Sequence, residues 1–167
     1  PTSQVVLSGN LSSDASGTPA AQVLTASSKF TYGGGDATAS TLLGQLDQFS
    51  GSANPSGAIA FEGYRTDGTA FGAGLDMAVG AATTLEDLID HLNNNVLSGA
   101  TASLVSGQIR ITDDQTGYSR SDLTMSYTGA GDLDLPGYFE VTTVGGDEVK
   151  GVNIAVFDSQ GGKHVMS

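Results

Sequence analysis

The chain has no cysteine and no tryptophan, and only six Lys and Arg stand against eighteen Asp and Glu. Each absence excludes something. Without cysteine there is no disulfide framework and no thiolate metal site. With a formal charge of −12 there is no basic footprint for nucleic acid, and anionic membrane surfaces are disfavoured. No apolar run approaches the length of a membrane span, and no signal peptide is visible. Large apolar side chains are scarce: six Phe, five Tyr and three Met in 167 residues. A core can form, but stability per residue is expected to be modest. Pro1 is not an initiator and both ends fall in strand-like patterns, so the expectation is an excised fragment.

What is abundant is Gly, Ala, Ser and Thr, with 24 glycines dividing short periodic segments. Gln4–Leu11 reads as a strand, followed by a Ser/Gly/Pro-rich connection from Ser12 to Ala21. Val23–Thr25 and Lys29–Tyr32 read as short strands, and Gly33–Asp36 as a flexible break. Leu42, Leu43, Leu46 and Phe49 fall at helical spacing, which predicts a second short helix over about 38–48, weakened by Gly44. Ala58–Tyr64 and Thr69–Val79 flank Asp67-Gly68, a hairpin signal.

The clearest element is a helix over about 84–97. Leu85, Leu88, Ile89, Leu92 and Val96 mark one face, and Glu86, Asp87 and Asp90 sit in its early turns. Thr83 and Glu86 have capping-box spacing, and Ser98-Gly99 is the expected stop. Ala100–Val105 and Gln108–Thr112 read as a hairpin turning at Ser106-Gly107. Leu123–Thr128 and Tyr138–Val144 are further strands, with a Gly/Asp-rich linker from Thr128 to Gly137 between them. The last strand, Val152–Phe157, meets a turn at Asp158–Gly162 and resumes as Lys163–Met166. The expected fold is mainly β with an α+β insertion, built of antiparallel sheets. Residues 1–32 and 138–167 would form a discontinuous β-domain, and 36–130 the inserted domain.

No constellation of residues points to catalysis, a cofactor or a metal, and no catalytic, cofactor-binding or metal-binding residue is assigned. His91 and His164 are the only histidines. The first reads as a boundary residue of the helix, the second as part of the terminal hairpin. Asp113–Gly117 lacks the spacing of a calcium loop. Gly33–Asp36 lacks the Lys and Ser/Thr of a phosphate loop. Asp87 and Asp90 complement the helix dipole. The Asn10-Leu11-Ser12 sequon is a chance-level match. G-x-S-x-G and H-E-x-x-H do not occur.

As strings, three segments carry more. Val152–His164 resembles the V-x-V-Y-D-S-L-G-x-x-H segment of the bacterial flagellar hook protein, with Phe157 in place of the usual Tyr and Gln160 in place of Leu. Val5–Leu11 resembles that family's strand ending in N-L. Between them, Thr84–Ile89, Gly99–Val105 and Gln108–Asp113 resemble a motif of flagellar axial proteins, T-L-x-D-L-I, then G-V-T-A-S, then a strand and T-D. The apolar-heptad termini by which such subunits pack into a tube are absent from the sequence. The resemblance therefore implies an exposed outer region of a hook subunit, enlarged by an insertion. It also implies an extracellular location on the flagellum, export by the flagellar secretion apparatus, and neighbouring copies of the same subunit as partners. The isolated chain is expected to be a monomer and not an enzyme. Two alternatives stand beside this: a hook-associated or filament-cap protein, and a carbohydrate- or host-binding β-module. The second would need an aromatic platform, for which the candidates are Tyr64, Phe71, Tyr118 and Tyr138.

Overall fold

A computed structural model describes residues 19–51, 54–146, 154–157 and 163–166. The architecture is mainly β, in antiparallel sheets, with one helical segment. In chain order the strands before the helix are β1 (Val23–Ala26), β2 (Thr31–Tyr32), β3 (Gly35–Asp36), β4 (Phe49–Ser50), β5 (Ser56–Tyr64) and β6 (Met77–Val79). Helix α1 (Leu85–His91) continues into one wider turn over Leu92–Val96, closed by the Leu97 N–H donating to the Leu92 carbonyl at 2.8 Å. After it come β7 (Ala100–Val105), β8 (Gln108–Asp113), β9 (Asp122–Ala130), β10 (Asp132–Leu133), β11 (Phe139–Thr143), β12 (Ile154–Phe157) and β13 (Lys163–Met166).

Two sheets carry the core. One has the order β11-β1-β8-β7, the other β6-β5-β9. Their strands alternate as a half-buried pleat requires. Ile109 and Ile111 of β8, Ile59 and Phe61 of β5, and Leu123 and Met125 of β9 point inward. The helix seals the same core with Leu85, Leu88, Leu92 and Val96, all wholly buried. Burying one such Leu contributes about 1.5–3 kcal/mol, so this single stripe matters in a chain poor in large side chains.

The helix start shows why the segment before it is not helical. The capping box is formed by Thr84 and Asp87, one residue later than the Thr83/Glu86 spacing predicts. The Thr84 hydroxyl accepts from the Asp87 N–H at 3.2 Å, and the Asp87 carboxylate accepts from the Thr84 N–H at 2.8 Å. Thr83 instead accepts the Gly80 N–H. The remaining free donors of the first turn, Leu85 and Glu86, give their N–H groups to the carbonyls of Thr41 and Ala39 at 3.0 and 2.8 Å. Those carbonyls are available because residues 39–42 form a turn and a bridge to Thr84 in place of a helix. The helix predicted over 38–48 is thus reduced to one 3₁₀ turn at Leu43–Gln45. Leu43 and Leu46 are still buried, and Gly44 allows the Pro55 ring to lie where a Cβ would sit, 2.7 Å away.

Other expectations shift in similar ways. Gly33-Gly34 is the turn of a tight β2–β3 hairpin, with φ +59° and +79°, and not a flexible break. The Thr128–Gly137 linker is occupied: β9 runs to Ala130, and β10 pairs with β4 and buries Leu133. The strand expected from Thr69 to Val79 is interrupted, pairing with β5 only at Met77–Val79 and at an Ala70–Tyr64 bridge. The Ser106-Gly107 hairpin forms as expected, with both residues at positive φ. The terminal hairpin also forms: Phe157 lies opposite Lys163, and Ile154 opposite Met166. The predicted strand Val5–Leu11 lies outside the described residues.

The expected division into 1–32 plus 138–167 against 36–130 is crossed by hydrogen bonds. The flanks pair with each other, β1 with β11, as the sequence reading anticipates. The other edge of β1 pairs with β8, inside the expected insertion. The Val23–Phe139 flanks and the helix-bearing unit therefore share one sheet and one core.

β7 forms one edge of that sheet, and a side chain covers it. The Asn93 amide donates to the Ala102 carbonyl at 3.1 Å and accepts the Ala102 N–H at 2.7 Å, in the manner of a neighbouring strand. Removing it leaves both Ala102 groups unpaired. Asn93→Ala should cost about 1–3 kcal/mol in urea denaturation, while Asn94→Ala, an exposed neighbour, stays within about 0.5 kcal/mol of the parent. Equal effects would refute the edge-capping role.

Candidate functional site

His91 sits in a structural setting. His91 is half-buried and stacks on Phe61, ring centroids 5.5 Å apart. Its Nε2 lies 2.7 Å from the Leu75 carbonyl and its Nδ1 3.3 Å from the Asn95 amide nitrogen. Those partners assign the Nε2–H tautomer, with Nδ1 accepting. His164 lies in β13 opposite Val156.

The Asp113–Gly117 loop is turned to internal use. Asp113 is buried and accepts from the Ser121 hydroxyl at 3.2 Å, while the Gln22 amide donates to the same hydroxyl oxygen at 2.9 Å. The loop thereby joins β8, the start of β9 and the residue before β1. Asp114 accepts the Thr101 hydroxyl at 2.8 Å. Among the described residues no three His, Cys, Asp or Glu side chains converge as a metal site. Asp87 is engaged in the helix cap, and Asp90 remains exposed on the helix surface.

Of the four candidate aromatics, the fold brings two together. Tyr64, at the end of β5, and Phe71, in the loop after it, line one open cleft of about 540 Å³. Tyr118 stands elsewhere, beneath the Arg120 guanidinium, and Tyr138 is exposed beside β11. The cleft exists because β6 covers only Gly57–Ile59, and the chain rejoins β5 at the Tyr64–Ala70 bridge. Between those points the edge of β5 away from β9 has no strand beside it. Gly63 accepts the Phe71 N–H at 3.0 Å on this side, so the alternation of an antiparallel ladder turns the Phe61 N–H and C=O into the gap as well. No described residue pairs with them.

The rim is fixed at both ends. The turn before it is closed by Arg65 and Thr69 and by Asp67, whose carboxylate takes the Thr69 N–H at 2.8 Å. At the other end His91 holds the Leu75 carbonyl. Glu62 and Asp76 add carboxylates to the lining. Sequence reasoning names Tyr64 and Phe71 but misses Glu62 and Asp76. Their only sequence signal is position: Glu62 lies inside the expected strand Ala58–Tyr64 and Asp76 inside the expected strand Thr69–Val79.

No protein-family model, curated protein or solved structure matches this chain.

Three exposed carboxylates accept backbone N–H groups and are held below their ordinary pKa. Asp47 accepts the Gly33 and Gly34 N–H groups on its two oxygens, each at 2.9 Å. The Gly34 bond above all, then the Thr31 hydroxyl, holds its pKa below the ordinary 3.8. Asp67 is lowered by the Thr69 N–H and hydroxyl, and Asp87 by the Thr84 N–H and hydroxyl. A depressed folded-state pKa contributes stability above the unfolded value that is lost as pH falls through the folded value. Asp47→Asn should therefore be less stable than the parent near neutrality. The gap should close as pH drops below 3.8 in thermal melts. A gap that widens on acidification would overturn this assignment.

Proposed function

We propose that this chain is an exposed outer region of a bacterial flagellar hook subunit, a structural part of the tube that passes motor torque to the filament. The observation that carries the reading is the structural use of seven positions in the axial-protein-like motif. Thr84 caps the helix, Asp87 returns the cap, and Leu85 and Leu88 are wholly buried. Gly99, at φ +78°, ends the helical segment, and Ala102 pairs with Asn93. Asp113 enters the buried network with Ser121 and Gln22. A motif spent on folding rather than on chemistry fits a scaffold subunit. The terminal hairpin, at the segment resembling the hook protein, agrees with it.

The charge of −12 adds a physical reason for a solvent-facing position, because dense packing of such surfaces is repulsive. On this reading the chain works through weak polar contacts with neighbouring copies and is monomeric alone.

Immunogold labelling of intact flagella, with antibody raised against this chain, should decorate the short curved segment between cell body and filament. Label confined to the filament tip or to the hook–filament junction would favour a cap or hook-associated protein. Label on the cell surface of a strain lacking flagella would sink the proposal.

A further inference from the structure

We infer that the cleft between β5 and the 70–76 loop is a binding site for a neutral saccharide. The inference rests on the geometry of the cleft and not on the hook reading. Its volume, about 540 Å³, is in the range of small-ligand sites. Three features define the ligand chemistry.

The first is an available aromatic face. Tyr64 is 51% exposed, and Phe71 stands in the same lining. The C–H faces of a pyranose match such rings. The second is a rim dominated by acceptors. The Glu62 and Asp76 carboxylates and the unpaired Phe61 carbonyl call for donors, and the Phe61 N–H supplies one donor in return. Sugar hydroxyls can donate to these acceptors and accept from the N–H. The third is the charge. An acidic chain with two carboxylates at the rim repels anionic glycans. The Arg65 guanidinium lies over Phe71, 5.8 Å from its centroid, so that ring already faces a cation.

The rim is also preorganised, which lowers the cost of binding. The Phe71 N–H bond to Gly63 and the His91 bond to Leu75 hold the two ends of the loop. Gly72 and Gly74 lie between them, and a methyl group added to either meets no atom within 4 Å. The loop backbone there is open to an incoming ring.

The test is a titration of the ¹⁵N-labelled chain with maltotriose, cellotriose and N-acetylchitotriose to roughly 10 mM, the weak end of specific affinities, backed by a neutral-glycan array. At least one probe should shift the amide signals of Phe61, Glu62, Phe71 and Gly72 in a saturable way. Tyr64→Ala should weaken that binding about tenfold with the melting temperature unchanged, since the ring is half-exposed. Tyr118→Ala should bind as the parent does. Loss of binding in both variants, or shifts confined to other surfaces, would overturn the assignment. So would silence from every neutral glycan, or shifts produced instead by trilysine and abolished by salt.

Discussion

Val23–Ala26 is hydrogen-bonded along both edges, to Phe139–Thr143 on one side and to Gln108–Asp113 on the other. Neither partner is close in sequence, so the strand carries two long loop closures at once. Leu24 and Ala26 from the same strand are almost wholly buried. The sheet order β11-β1-β8-β7 depends on this strand, and the helix packs beside the β7 end of it. Loss of β1 would separate the flanks from the helix-bearing unit and open the core that both share. A chain with few large side chains has little to spare for two independent cores, which is a physical reason for one sheet to run across both parts.

Polar side chains complete what apolar burial begins. Asn93 acts as an extra strand against β7, Asp47 closes the β2–β3 turn, and Gln48 accepts the Thr31 N–H at 3.0 Å. The network of Gln22, Ser121 and Asp113 ties the start of β1 to the loop between β8 and β9. Each bond contributes about 0.5–1.5 kcal/mol net. They are directional, however, and so they select one register where small side chains would tolerate several. The abundance of Ser, Thr, Asn and Asp in this sequence is therefore part of its folding code as well as its surface.

Periodicity was legible where local signals and packing agree. The helix stripe, the Ser106-Gly107 turn and the terminal hairpin all follow from spacing and turn chemistry. The failures have a common cause. Leu42, Leu43 and Leu46 have helical spacing, but the chain just before them turns and bridges to Thr84 so that the Ala39 and Thr41 carbonyls meet the α1 N-terminus, a tertiary demand that periodicity does not carry. Thr83 and Thr84 are adjacent and both precede an acid by three residues, so spacing alone does not choose between Glu86 and Asp87 as the returning side chain. Gly-rich stretches at Gly33–Asp36 and Thr128–Asp134 read as linkers because glycine marks turns and tight approaches as well as mobility. Tyr64 and Phe71 were visible as aromatics, yet the gap in strand pairing that unites them is set by where β6 begins, at Met77.

The residues that fold the protein and those that face the cleft are largely different sets. The axial-protein-like motif, Thr84–Asp113, spends its matched side chains on caps, core and edge. Glu62, Tyr64, Phe71 and Asp76 lie outside it. The two sets meet at one place, where His91 stacks on Phe61 and bonds the Leu75 carbonyl. Through that contact the helix steadies both walls of the cleft without entering it. A surface arranged in this way can change its recognition by substitution at Glu62, Tyr64 or Asp76 while the core remains as it is. On the proposed hook reading, that separation would let the subunit fold identically in every copy while its outer face meets a different environment.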